Sequence, residues 1–139
     1  MRLTFILTVS SVLAMTAGLE AQEVLKFDVG QQSKKTVFAG GEARLAAYNY
    51  VLSNCTSGPR PDVRVLKSPA NGDLRFDQIT VPIDRAKDNR RAHCNGKDVE
   101  AVGVYYKPKE GFTGEDRITI DTDWKNGSVS RYTYVVNVR

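Results

Sequence analysis

The chain has 139 residues, with 20 lysines and arginines against 16 aspartates and glutamates, a formal charge of +4. That length is enough for one domain with a real core and leaves no room for tandem modules. The mildly basic balance favours anionic partners through long-range attraction without identifying one, and a single histidine with two cysteines leaves metal ligands scarce.

The chain opens like a secretory leader. Arg2 supplies a short positive start, residues 3–19 are mostly apolar or small and carry no charge, and Leu19-Glu20-Ala21 offers a small residue for cleavage. A membrane anchor fits less well. A spanning helix needs about 20 apolar residues, whereas this stretch is shorter and carries Thr4, Thr8, Ser10, Ser11 and Thr16. The expected cut follows Ala21, with Gly18 as the second choice. Residues 22–139 then form the mature domain, exported to the periplasm or beyond, with no membrane span. No cysteine lies near the cut to carry a lipid. Met1 and Met15 both fall in the removed segment, which argues against a thioether copper site.

Strand signals follow one another from there. Residues 23–29 and 35–38 are the first two candidates, the second ended by Gly40-Gly41. Residues 44–52 have a spacing compatible with a helix. Their content of Tyr48, Tyr50 and Val51 and the preceding glycine pair favour a strand. Cys55 comes next. With Cys94 it makes an even pair in an exported chain without a C-x-x-C motif, so a disulfide is expected rather than a metal or redox site. Residues 56–61 read as a loop, 63–67 as a short strand, and Pro69-Ala70-Asn71-Gly72 as a turn whose Asn-Gly pair readily supplies positive φ. Leu74, Phe76, Ile79 and Val81 continue beyond it. Residues 82–98 are polar and read as loop, and 99–106 as a strand.

The last two strands have the clearest alternation. Ile118, Ile120 and Thr122 face one way, with Arg117, Thr119 and Asp121 opposite. Asn126-Gly127 signals a hairpin. Tyr132, Tyr134, Val136 and Val138 then share one face, with Val135 the apolar exception on the other. Seven or eight short strands at turn-punctuated intervals predict an all-β, antiparallel sandwich.

Between these strands runs Tyr106-Lys107-Pro108, then Phe112-Thr113-Gly114-Glu115-Asp116, then the alternating strand, Asp123 and Asn126-Gly127 of the hairpin, and a final strand. This order, Y-x-P followed by F-x-G-x-D, resembles bacterial immunoglobulin-like and cadherin-like domains. Pro69-x-x-Gly72-x-Leu74 is similar to an earlier turn of the same family. The resemblance spans roughly residues 66–139 and implies an immunoglobulin-like sandwich of bacterial origin. Physically, Pro108 fixes φ, Gly111 and Gly114 let the chain cross between sheets, Phe112 plugs the sandwich end, and Asp116 accepts backbone N–H bonds in the turn. Single-copy size, the Cys55–Cys94 pair and the polar 82–98 segment depart from the family pattern.

Few residues point to chemistry. His93 has no G-x-S-x-G context and sits beside a cysteine expected to be oxidised, so no catalytic residue is expected and the chain reads as a non-enzyme. Asp116, Asp121 and Asp123 are weak calcium candidates against the alternative of a solvated hairpin with turn-capping aspartates, because the calcium-loop spacing is missing. Arg85, Lys87, Arg90 and Arg91, joined by Lys97, form a basic cluster around Cys94. It reads either as a tethered loop touching an anionic polymer or acidic protein, or as an ordinary solvated loop. Trp124 is either an exposed contact residue or a cover on the sandwich edge. The expectation is a non-enzymatic exported module binding an envelope component or protein. The alternative is a calcium- or small-ligand-dependent binder, with a small envelope hydrolase a third reading. No cofactor and no nucleic-acid partner are expected.

Overall fold

The computed structural model describes residues 26–139, so the leader read at residues 1–21 and the start of the first strand candidate lie outside the described residues. Seven strands are present among them: β1 Lys26–Val37, β2 Ala43–Tyr48, β3 Asp62–Lys67, β4 Gly72–Pro82, β5 Asp98–Pro108, β6 Gly114–Asp123 and β7 Ser128–Val138. The one helical element among them is a 3-10 turn, Ala92–Cys94. The strands form two sheets, ordered β1-β7-β6-β3 and β2-β5-β4. All pairings are antiparallel except β1 with β7, which run parallel.

The alternation read in the last two strands is what builds the core. Ile118, Ile120 and Thr122 of β6 are fully buried, as are or nearly are Tyr134, Val136 and Val138 of β7. They meet Leu45 and Tyr48 of β2 and Val104 and Tyr106 of β5 across the two sheets, in one apolar cluster. The Tyr48 and Tyr134 hydroxyls hydrogen-bond across the layers at 2.6 Å, and burial pushes both phenols above their ordinary pKa, Tyr48 far above. Val135 is buried on the opposite face, where its register neighbours are Lys34 and Arg117.

Thr122 is the misfit in this core. It is fully buried, and its hydroxyl has only the Tyr48 hydroxyl beside it, without the geometry of a full hydrogen bond. A buried hydroxyl left without a bond costs about 1–3 kcal/mol. Thr122→Val keeps the shape and removes that cost. We expect it to raise unfolding stability by about 1 kcal/mol in urea melts at unchanged slope. A loss of stability would show that the hydroxyl is bonded after all.

A second apolar cluster lies on the other face of the three-stranded sheet. Val81 pairs with Val99 and Ile79 with Ala101. These side chains pack with Ala47, Val51, Ile83, Cys55 and Cys94, segregated from the Leu74, Val104 and Tyr106 face. The segments after β2 and after β4 therefore fold over the sheet, and the Cys55–Cys94 disulfide joins them there with a Cα–Cα distance of 5.2 Å. The expected pairing is thus present.

Three local readings are corrected by the structure. The described part of the first candidate, residues 26–29, and residues 35–37 of the second belong to one strand, β1. It is interrupted by a register shift between Asp28 and Gln31, where Gly30 adopts φ +103°. The strand read over 44–52 ends at Tyr48, because Val51 turns away to bridge Ser57 and to pack in the second cluster. Gly72 is needed for space rather than for a left-handed turn, since a Cβ there would sit 2.2 Å from the Tyr106 ring.

The two motif segments meet at one end of the molecule. Asp116, buried at the third position of β6, accepts bonds from the Ala70 and Asn71 N–H groups of the Pro69–Gly72 turn at 2.9 and 2.8 Å. It also accepts from the Arg117 N–H at 2.9 Å and the Tyr106 hydroxyl at 3.1 Å. Gly111 and Gly114, at φ +75° and +128°, turn the chain from β5 in one sheet to β6 in the other. Pro108 is buried there, and Phe112 is only partly buried against the core edge. Burial, then the Asp116 carboxylate, push the Tyr106 phenol above its ordinary pKa.

Candidate functional site

The strand directions put the ends of β2, β4 and β6 and the starts of β5 and β7 at the opposite end of the molecule. Three connections emerge there: the residues after Tyr48, the polar segment between β4 and β5, and the β6–β7 hairpin. Between them opens a cleft of about 350 Å³, lined by Arg85, Arg90, Arg91, Trp124, Asn49 and Tyr50 among others. Four of the five residues singled out as a binding surface thus converge on one site. Lys87 does not line it, nor does Lys97; both are exposed nearby in the chain.

The basic segment is well anchored for a connection without strand structure. Its stem is closed by bonds from the Ile83 N–H to the Lys97 carbonyl and from the Gly96 N–H to the Ile83 carbonyl, at 2.8 and 2.9 Å. Within it, the Asn95 side chain bonds the Arg85 backbone in both directions, at 2.8 and 2.9 Å. Four ties then hold it to the 49–55 segment. Arg85 donates to the Asn49 side chain, Arg91 Nε to the Val51 carbonyl at 3.1 Å, and His93 Nε2 to the Ser53 carbonyl at 3.1 Å. The disulfide is the fourth.

Both readings of Trp124 hold in part. Its ring meets Tyr48 edge-on at 6.0 Å and its Nε1 donates to Ser130 Oγ at 2.9 Å, so it covers the core edge. It is only half-buried, and its remaining surface forms a wall of the cleft. Lys125 at φ +58° and Gly127 at φ +82° shape the hairpin that presents it, closed by the Trp124 N–H to the Ser128 carbonyl at 3.0 Å.

No ion pair among the described residues involves Arg85, Arg90 or Arg91, and no carboxylate lines the cleft. A second groove, of about 270 Å³ beside Arg60, Asp62, Phe76 and Asp77, mixes acid with base and has no such bias. Asn49, Tyr50, Asn89 and Asn126 also line the arginine cleft. The sequence pattern does not point to Asn49 or Tyr50, because the strand reading carried through them, and Asn126 reads there as a turn residue.

The weak calcium candidates stay apart in role. Asp116 is taken up by its four donors. Asp121 receives Arg131 Nε and Nη2 at 2.7 and 2.9 Å, and that guanidinium holds its carboxyl below the usual carboxylate range. Asp123 accepts the Lys125 N–H and Nζ, which lower its carboxyl likewise. The one grouping of potential metal-ligand atoms among the described residues is Cys55, His93 and Cys94, within 4.8 Å of one another. The disulfide consumes both sulfurs.

No protein-family model and no curated protein matches the chain. The solution structure of amebosin aligns over 80% of this chain and 100% of its own, at 14% identity and a TM-score of 0.45. A likeness that low carries no argument about fold or activity.

Proposed function

We propose that the chain is an exported, non-enzymatic, immunoglobulin-like module that binds an anionic envelope component or protein partner through the arginine cleft. Three kinds of observation support it. The division of strands 3, 6 and 7 from strands 2, 4 and 5 follows the immunoglobulin partition; the first strand joins the edge of strand 7 instead of the other sheet. The leader-like residues 1–21 and the disulfide fit an oxidising compartment. His93 spends a ring nitrogen on a backbone carbonyl rather than on a nucleophile.

The observation that carries the binding reading is the gathering of three guanidinium groups and an indole at one cleft without a single carboxylate. Like charges collected without counter-charge are retained at a cost unless an anion offsets them. The test is binding to an anionic polymer such as heparin, for wild type and for Arg90→Ala. Arg90 is exposed, so the variant should fold normally. Wild type should bind and weaken as salt rises, and the variant should bind about five- to tenfold more weakly. Absence of binding at low salt, or equal binding by the variant, would remove this site from the reading.

A further inference from the structure

We infer that the cleft recognises a phosphate monoester rather than a carboxylate. The inference rests on the anion-binding reading above and goes further by naming the chemical group. It comes from counting which hydrogen-bonding atoms on the walls are already used.

The acceptors are nearly all spent. Asn49 Oδ1 takes Arg85, and Asn89 Oδ1 takes the Arg91 N–H at 2.8 Å. Asn126 Oδ1 takes the Ser128 N–H at 3.1 Å and its hydroxyl. The Asn49 and Val51 carbonyls face arginine nitrogens as well. Among the lining side chains, the Tyr50 hydroxyl is the one acceptor with no donor on it yet, and Asn49 Oδ1 and Asn89 Oδ1 keep one lone pair each. Each amide is thereby turned so that its oxygen is engaged. The Nδ2 groups of Asn89 and Asn126 are left over as donors.

The donors are largely unspent. Arg91 uses Nε and keeps both terminal nitrogens, Arg85 uses one terminal nitrogen, and Arg90 has no bond among the described residues. The Trp124 N–H is already given to Ser130, so the indole offers carbon surface only. The cleft therefore presents several N–H donors, concentrated positive charge and one apolar wall.

A neutral sugar fits this poorly, because hydroxyls donate as well as accept, and the acceptors here are few and mostly engaged while donors are in excess. A carboxylate carries one charge and two oxygens, which one guanidinium satisfies bidentately. That would leave the other two guanidiniums uncompensated. A phosphate monoester carries about −1.5 to −2 charge and three terminal acceptor oxygens, and it is the better complement to a threefold guanidinium cluster. The Trp124 face would then lie against whatever carries the phosphate.

The test is calorimetric titration of the mature chain with inorganic phosphate, glucose 6-phosphate and glucuronate, at low salt and neutral pH, following Trp124 fluorescence in parallel. Both phosphates are expected to bind at least about tenfold more tightly than glucuronate, and Arg90→Ala to lose most of that difference. Tighter binding of glucose 6-phosphate than of inorganic phosphate, with a change in Trp124 emission, would support contact with the carrier. Equal binding would support recognition of the phosphate alone. Glucuronate binding as tightly as either phosphate overturns the inference. So does the absence of phosphate binding. In both cases the heparin measurement decides separately whether anion binding at this site survives. Arg90→Lys keeps the charge but loses the planar fork, and because Arg90 is exposed it should weaken phosphate binding several-fold at an unchanged melting temperature; full retention of affinity would count against bidentate recognition.

Discussion

Reducing the Cys55–Cys94 disulfide is expected to lower the melting temperature by about 15–20 °C and to open the arginine cleft. The first effect is chain entropy. The cysteines are 39 residues apart, and closing a loop of that size restricts the unfolded chain by about 4 kcal/mol. The second effect is packing. Both sulfurs belong to the cluster of Val51, Val81, Ile83, Val99 and Ala101, which covers the outer face of the three-stranded sheet. Without the bridge, the two segments that form this cover are joined only by the bonds of Arg85, Arg91 and His93. Those bonds alone should not hold Arg90 and Arg91 beside Trp124. Thermal melts followed by circular dichroism, with and without reductant, check the first part; heparin binding of the folded Cys55→Ser/Cys94→Ser variant checks the second. A melting temperature within about 3 °C of the oxidised protein would contradict both mechanisms.

Asp116→Ala should cost about 3–5 kcal/mol of unfolding stability while leaving anion binding by the folded protein unchanged. The carboxylate is buried and accepts from four donors. Two of these are backbone N–H groups of the Pro69–Gly72 turn, which links strands of different sheets. Removing the acceptor leaves the turn donors and the Tyr106 hydroxyl facing an emptied site. Asp116→Asn keeps one acceptor oxygen and should lose about half as much. Urea denaturation measures both. A cost under about 1 kcal/mol for the alanine variant would mean that the turn is held by its other bonds. The chief of these is the Lys109 N–H to the Asn71 carbonyl at 2.9 Å.

These predictions separate the two ends of the molecule. At one end, Tyr106, Pro108, Gly114 and Asp116 fasten the sheets to the turn before β4. At the other, the segments outside the motif are fastened to one another by the disulfide and three side-chain bonds, and they surround the cleft. Stability variants at the first end should spare binding. Variants at Arg90 should spare stability.

What was legible in the sequence followed from local periodicity. Alternation in β6 and β7 announces itself because inward and outward side chains differ at every second residue, and the burial of Ile118, Ile120, Tyr134 and Val136 follows it. Strand β5 carries a further signal of the same kind. Between its charged ends, Asp98 and Lys107, Val99, Ala101 and Gly103 on one face and Val102, Val104 and Tyr106 on the other leave Glu100 as the sole charge. A strand apolar on both faces is buried on both, and the second cluster is the consequence. Gly30 inside β1 looked like a boundary because a bulge and a turn use the same residue.

By itself, then, the sequence determined the all-β class, the positions of the strong alternating strands, the disulfide partners and Asp116 as an acceptor of backbone N–H bonds, though not the turn that it holds. Each depends on short-range chemistry or on a count of two cysteines. Tertiary structure alone decided that Asp116 holds a turn 45 residues away, that Gly72 is small because of Tyr106, and that Arg85, Arg90, Arg91 and Trp124 share a cleft. Their side chains meet only because β4 and β6, in different sheets, end on the same side of the molecule. That common direction is set by pairing between distant segments, which no local pattern encodes.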